Sequence, residues 1–344
     1  MLLHGIFPPL TTPFYAGGEV YYKKLEHNVE RYSRTPIAGM VILGSTGEAI
    51  LLSEQERRDV LKCAREVAAP DKVLLAGTGV ESASETLRLT EYAAELGYDV
   101  AMVRTPHYYK SQIELPENML AFYRFVADRS PLPILLYNFP QATGYDIPAE
   151  VVIALAEHPN VIGLKESNAS VEKLQQMVAG TKHVKRTVKV TETLQALTPR
   201  MLKLGTAQTI AGGQASSSIA VLESGIKVRE KQAGFQILVG AANKFYELLQ
   251  AGAVGGILSF ADPAPTAMFE IYAAWKDGDM KLAQQKQQRV ALAADRVGGD
   301  LSIPGVKYAC DLNGYYGGPV RLPLLSLTAE VKAEVEGLMG DIRN

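Results

Sequence analysis

The chain has 344 residues, 47% of them hydrophobic, enough apolar material for a large core. A formal net charge of −2 with 21% charged residues excludes a global field for nucleic acid or a membrane surface. Two cysteines, Cys63 and Cys310, are too few for a disulfide framework and lack metal-ligand spacing.

The first residues, Met1-Leu2-Leu3-His4-Gly5, lack the basic region and apolar stretch of a signal peptide. No apolar run reaches the roughly 18 residues that a membrane span requires. A soluble, cytoplasmic protein is therefore expected. Short Val/Ile/Leu-rich runs predict strands at Ile6–Phe14, Gly39–Gly44, Lys72–Gly79, Asp99–Pro106, Pro133–Pro140, Val161–Ser167, Phe235–Gly240 and Gly255–Asp262. They barely alternate between apolar and polar, as expected for parallel strands covered on both faces. Helical patterns lie between them, including Glu54–Ala68, Ala83–Leu96, Glu117–Arg129 and Pro148–Glu157.

From the second strand the starts recur about every 30 residues, the length of one strand–helix unit. Eight such units predict a (β/α)₈ TIM barrel over residues 1–265. An open doubly wound sheet is the alternative, but the first strand ends in Thr11-Thr12-Pro13-Phe14 without a glycine fingerprint.

Between the sixth and seventh strands the period breaks, which predicts an insertion at about 181–234. Its stretch Gly205–Ser218 is small, polar and aperiodic, and Thr198-Pro199 has the form of a helix N-cap followed by proline. An insertion after a helix and before a strand belongs on the barrel's N-terminal face, away from the usual active site. Residues 266–344 predict a helical extension, with helices at Thr266–Lys276, Lys281–Arg296 and Thr328–Leu338 and a connector through Ile303–Lys307.

Catalytic groups of a barrel project from the C-terminal strand ends. Those ends read Gly44-Ser45-Thr46-Gly47-Glu48, Gly77-Thr78-Gly79, Thr105-Pro106-His107-Tyr108-Tyr109, Tyr137, Lys165-Glu166-Ser167, Gly240 and Ser259. They are rich in hydroxyls and lack the convergent Asp, Glu, His and Cys of a metal site, so no metal and no cofactor are expected. Gly44–Glu48 has the backbone and hydroxyl donors to hold a carboxylate, although Ser45-x-x-Glu48 also has capping-box spacing. Ser53–Glu56 explains the following helix start better. Taken alone, Tyr108, Tyr109 and Tyr137 read more readily as packing residues at strand ends than as proton-transfer groups.

Lys165 carries more information. A lysine ending an apolar strand loses hydration, and burial favours its neutral, nucleophilic amine. The bland alternative is a buried ion pair with Glu48 or another carboxylate. An amine one strand–helix unit beyond Tyr137 points to Schiff-base chemistry on a carbonyl.

In this order, Pro8–Phe14, Gly44–Glu48, Thr105–Tyr109, Tyr137-Asn138-Phe139-Pro140 and Gly163-Leu164-Lys165-Glu166-Ser167 resemble the dihydrodipicolinate synthase/N-acetylneuraminate lyase family. These are class I, pyruvate-dependent aldolases, and the resemblance covers the chain except Thr181–Gly234. It implies that Lys165 forms the imine, Tyr137 moves protons, and Ser45 with Tyr108 completes a relay, the tyrosine being lent by a neighbouring subunit. It further implies that Thr46 holds the pyruvyl carboxylate and that Gly240 and Ile257 line the pocket. The implied partners are a pyruvate-type 2-oxo acid and other copies of the chain, as a dimer of dimers.

One departure bears on the substrate. Dihydrodipicolinate synthases carry an arginine two positions after the proline of Tyr-Asn-x-Pro, where this chain has Ala142. A methyl group cannot replace a guanidinium fork, unless another residue such as Arg104 substitutes. Pro8–Phe14, Lys165–Ser167, Gly252–Gly256 and Gly314–Pro319 look closer to the 4-hydroxy-2-oxoglutarate aldolase branch, in which Ser167 would contact the distal part of the substrate. Thr46 stands where that branch often has asparagine. The expected activity is cleavage of a 4-hydroxy-2-oxo acid. The alternatives are the synthase, a sugar-acid lyase or dehydratase, and a scaffold that binds a 2-oxo acid without turnover.

Overall fold

The structure, a computed structural model, describes residues 1–168, 170–203 and 228–342. Eight parallel strands form the barrel: β1 (Gly5–Ile6), β2 (Gly39–Ile42), β3 (Val73–Gly77), β4 (Val100–Arg104), β5 (Ile134–Asn138), β6 (Val161–Glu166), β9 (Gln236–Val239) and β10 (Gly255–Gly256). Their order is β1-β10-β9-β6-β5-β4-β3-β2. The ring closes between β1 and β2 through the Pro9–Val41 bridge, with Ala38 N–H donating to Ile6 at 2.9 Å and Leu10 N–H to Val41 at 2.9 Å. This is the expected (β/α)₈ barrel, with a C-terminal set of helices.

The inner strands match the apolar runs, but the first and last are shorter than expected. Pro8, Pro9 and Pro13 have no N–H to give a ladder, so only Gly5–Ile6 pairs as a strand. At the other end the chain turns into a short 3₁₀ segment at Ser259–Ala261 directly after β10. The helix Glu54–Val67 starts on a reciprocal Ser53–Glu56 capping box. The helix Ala83–Leu96 ends at Gly97 in the left-handed region, φ 86°.

A two-stranded hairpin and one helix were not expected. Within the inserted region, β7 (Arg186–Thr191) and β8 (Val228–Ala233) pair antiparallel. Ala196, just beyond β7, packs with residues near the chain start, and Thr198 Oγ1 caps Met201 N–H at 3.2 Å. The stretch 205–218 lies outside the described residues. In the C-terminal extension, helices Pro265–Lys276, Met280–Ala293 and Ala329–Met339 are joined by an additional helix, Ser302–Leu312. Pro304 sits in its first turn, where a missing N–H breaks no helical bond, so the proline that suggested a connector is tolerated.

The sheet separates two apolar layers. The outer layer packs helices against Leu136 and Leu164, whereas Leu135, Tyr137, Ile162, Leu238 and Ile257 fill the barrel interior. β6 carries an irregularity: Ile134 pairs with Val161 but Leu135 pairs with Gly163. One extra residue on β6 lets Ile162 and Lys165, three positions apart, both face inward.

Candidate active site at the C-terminal face of the barrel

The register sets Tyr137 beside Lys165 and Arg104 beside Tyr137 across β4, β5 and β6. Lys165 is 5% exposed, and its Nζ lies 4.1 Å from the centre of the Tyr137 ring. Tyr137 Oη is in turn 3.1 Å from Ser45 Oγ. Amine, phenol and hydroxyl thus come together at one end of the barrel. Lysine is almost never buried without a partner, yet Lys165 forms no ion pair among the described residues.

The alternative partner Glu48 is engaged elsewhere. Its Oε1 lies 2.5 Å from Lys307 Nζ, and its Oε2 accepts the Arg321 N–H at 2.8 Å. Burial pulls the Lys307 ammonium down from its ordinary range, only partly countered by Glu48. Glu166 faces outward, where it accepts from Asn138 and pairs with Lys173 at 3.2 Å. Ser45-x-x-Glu48 is therefore not a capping box: Glu48 adopts φ 55°, ψ 29° and ties its loop to the C-terminal extension.

That loop follows a strained turn. Leu43 has φ 64°, a left-handed conformation that costs an ordinary residue roughly 1–2 kcal/mol. A Cβ at Gly77 would lie 2.0 Å from the Leu43 carbonyl oxygen, so only glycine admits the turn that swings Ser45 toward Tyr137. Thr46 is buried next to it. On the opposite side, Gly240 leaves room for Ser167: a Cβ there would stand 2.6 Å from Ser167 Oγ. Ile257 is buried in the same inner layer as Tyr137.

Above Tyr137 opens a cavity of about 310 Å³, lined by Ser45, Tyr137, Arg57, Arg104, Ala142 and Ile303 among others. Lys165 lies under the Tyr137 ring and is not on the cavity wall. Arg57 was not foreseen from sequence, because it sits in an ordinary amphipathic helix. Its Nε donates to the Ala49 carbonyl at 3.0 Å, and it forms no ion pair among the described residues. Burial, then the charge of Arg104, pulls its guanidinium below the ordinary value. Two guanidinium groups therefore line one mostly apolar space: Arg57 without an ion pair among the described residues, and Arg104 already paired with Glu81.

Tyr108 is not brought into this cavity within one chain; it is 75% exposed and edge-on to Tyr109 at 5.2 Å. Its backbone is held by Glu81, whose Oε2 accepts the N–H groups of His107 at 2.9 Å and Tyr108 at 3.0 Å. Glu81 also meets Arg104 at 3.2 Å and His107 Nδ1 at 2.5 Å. Burial pushes the Glu81 carboxyl up, but these amides and cations outweigh it and hold it below the usual range. Among the described residues no group of His, Cys, Asp and Glu could hold a metal ion, and no helix is long and apolar enough to cross a membrane.

The eight-stranded barrel thus gathers a buried amine, a phenol and a hydroxyl at its C-terminal face. The chain belongs to the dihydrodipicolinate synthetase family, whose model matches residues 2–221 and 214–341, and it is a class I, pyruvate-dependent lyase or aldolase. It is 28% identical over 338 residues to a 4-hydroxy-tetrahydrodipicolinate synthase of Methanothrix thermoacetophila, covering 98% of this chain and 96% of that protein. Over 179 residues it is 37% identical to a synthase of the same name from Xanthomonas campestris pv. campestris, covering 52% of this chain and 58% of that one. Among solved structures it resembles YagE, a prophage protein of this family from E. coli K12 in complex with pyruvate. That likeness has a TM-score of 0.79 and 25% identity, covering 99% of each chain.

Proposed function

We propose that the chain cleaves a 4-hydroxy-2-oxo acid to pyruvate and an aldehyde or oxo acid through an imine on Lys165. The observation that carries this reading is the contact chain from Lys165 Nζ over the Tyr137 ring to Ser45 Oγ, with no ion pair on the amine among the described residues. Nζ attacks the ketone carbon, and water leaves to give the iminium. Tyr137, whose own proton has gone to the hydroxyl that leaves as water, then takes the proton of the 4-hydroxyl as the C3–C4 bond breaks, and the bonding electrons move into an enamine. Reprotonation of C3 and hydrolysis release pyruvate and the free amine. Thr46 and the backbone at Ser45 hold the carboxylate, Ser45 passes protons to Tyr137, and Ser167, Gly240 and Ile257 bound the space around the distal part.

Tyr108 completes the relay from a second copy of the chain, within a tetramer built as a dimer of dimers. Arg104 and Arg57 supply the positive charge that Ala142 does not, which favours a substrate with a second carboxylate over a neutral sugar acid. The second reading, 4-hydroxy-tetrahydrodipicolinate synthase, is favoured by the names of the curated relatives. The buried thiols Cys63 and Cys310 fit a reducing, cytoplasmic setting.

Borohydride reduction in the presence of pyruvate tests the chemistry: a pyruvyl adduct is expected on Lys165 and absent from Lys165→Ala. Folded protein with no adduct would end the Schiff-base reading. Coupled assays with 4-hydroxy-2-oxoglutarate, and with aspartate semialdehyde plus pyruvate, test the substrate. Faster turnover of the second pair assigns the synthase activity instead.

A further inference from the structure

A second pocket opens at the other end of the barrel, where β8 and the turn after β7 lean on the N-terminal strand ends. It encloses about 240 Å³, and its walls include Leu2, His4, Lys231, Phe269, Tyr272 and Lys276. Most of the wall belongs to the barrel and its helix Pro265–Lys276. Four lining residues, Leu194, Gln195, Ala196 and Lys231, come from the inserted region.

Charge is unbalanced there. Lys231 and Lys276 form no ion pair among the described residues. Burial and the neighbouring Lys276 both pull the Lys231 ammonium down. His4 responds to the same field: burial first, then Lys231 and Lys276, push its imidazole down to about 4, so it stays neutral at pH 7. The other pair on the wall is already satisfied, since Lys72 donates to the Thr35 and Ile37 carbonyls at 2.9 and 3.1 Å and meets Asp71 at 3.4 Å. Burial raises the Tyr272 phenol to about 12, which keeps it a hydrogen-bond donor. Two ammonium groups, a neutral imidazole and a phenol therefore surround a space floored by Leu2 and Phe269.

We propose that this pocket binds a small organic anion, a single carboxylate or phosphoryl group on an apolar body. Lys231 and Lys276 clamp the charged head, and the body lies against Phe269 and Tyr272. The site is separate from the one at Lys165, which lies at the opposite strand ends, and it does not depend on the proposed reaction. Because its walls come from both barrel and insertion, an occupant fastens the inserted hairpin to the barrel.

Calorimetric titration of Lys165→Ala protein with benzoate, and separately with inorganic phosphate, tests the proposal. One site per chain is expected for at least one probe, and which probe binds tells the carboxylate head from the phosphoryl head. Lys231→Ala and Lys276→Ala are each expected to weaken that binding about tenfold, the worth of one charge-assisted hydrogen bond. Lys231→Arg restores most of it, whereas pyruvate trapping on Lys165 in otherwise native protein is unchanged by either lysine variant. Binding that survives both alanine variants, or no binding of either probe to folded protein, overturns the proposal.

Discussion

Replacing Lys307 by methionine removes the cation that neutralises Glu48 while keeping most of the side-chain volume. Both residues are 1% exposed, and the Nζ–Oε1 distance is 2.5 Å. A buried carboxylate left without its partner costs about 3–5 kcal/mol, and the lost hydrogen bond to the Pro319 carbonyl, 2.7 Å in the native chain, adds about 1 kcal/mol. A domain is stable by only about 5–15 kcal/mol, so the loss should appear plainly in a urea titration followed by circular dichroism. The double variant Lys307→Met/Glu48→Gln removes the stranded charge as well. It is expected to recover about 2 kcal/mol or more of the deficit, a coupling characteristic of residues in contact. Because Glu48 fixes the loop of Ser45 and Thr46, the single variant also raises the pyruvate concentration needed for half-maximal borohydride trapping. A single-variant cost below about 1 kcal/mol, or additive effects in the double variant, would refute the clamp.

Two further perturbations address other parts of the molecule. Tyr137→Phe keeps the ring beneath which Lys165 lies but deletes the hydroxyl next to Ser45; turnover should fall about 10²–10⁴-fold, and an unchanged rate removes Tyr137 from proton transfer. Asp262 is fully buried, and burial pushes its acid well up against weaker pulls from the Thr11 amide and the Lys165 charge. A raised folded-state value means that its stabilising protonation is complete below the unfolded value of roughly 3.9 and is lost as pH climbs through the folded one. Asp262→Asn should therefore raise the melting temperature at pH 8 and lose that advantage at pH 4; an equal gain at both would contradict the titration.

The sequence exposed what is local and hid what is distant. Strands β2 to β6 were readable because parallel strands covered on both faces need unbroken Val, Ile and Leu. The Glu54 helix announced itself through Ser53 and Glu56. Lys165 stood out because a cation in such a run demands a reason. Its inward direction was not readable, since it depends on the extra residue in β6. β7 escaped notice because Thr187 and Lys189 face outward and only Val188 and Val190 mark its apolar side. Arg57, Glu81 and Lys307 look unremarkable in the sequence of their own helices and loops, and gain meaning only from partners elsewhere in the chain. Tyr108, exposed in one chain, was placed in a relay by resemblance and not by its own surroundings.

The clamp on Glu48 also constrains the order in which the protein comes into being. The Ser45–Glu48 loop is synthesised early, but Arg321, whose N–H binds Glu48, lies 273 positions further along. At about 5–20 residues per second, roughly 15–55 seconds separate the loop from the segment that fixes it. During that interval Glu48 stays hydrated and Ser45 has no set place beside Tyr137. The nascent barrel thus carries Ser45 and Tyr137 well before Arg321 is there to hold the Ser45 loop in place.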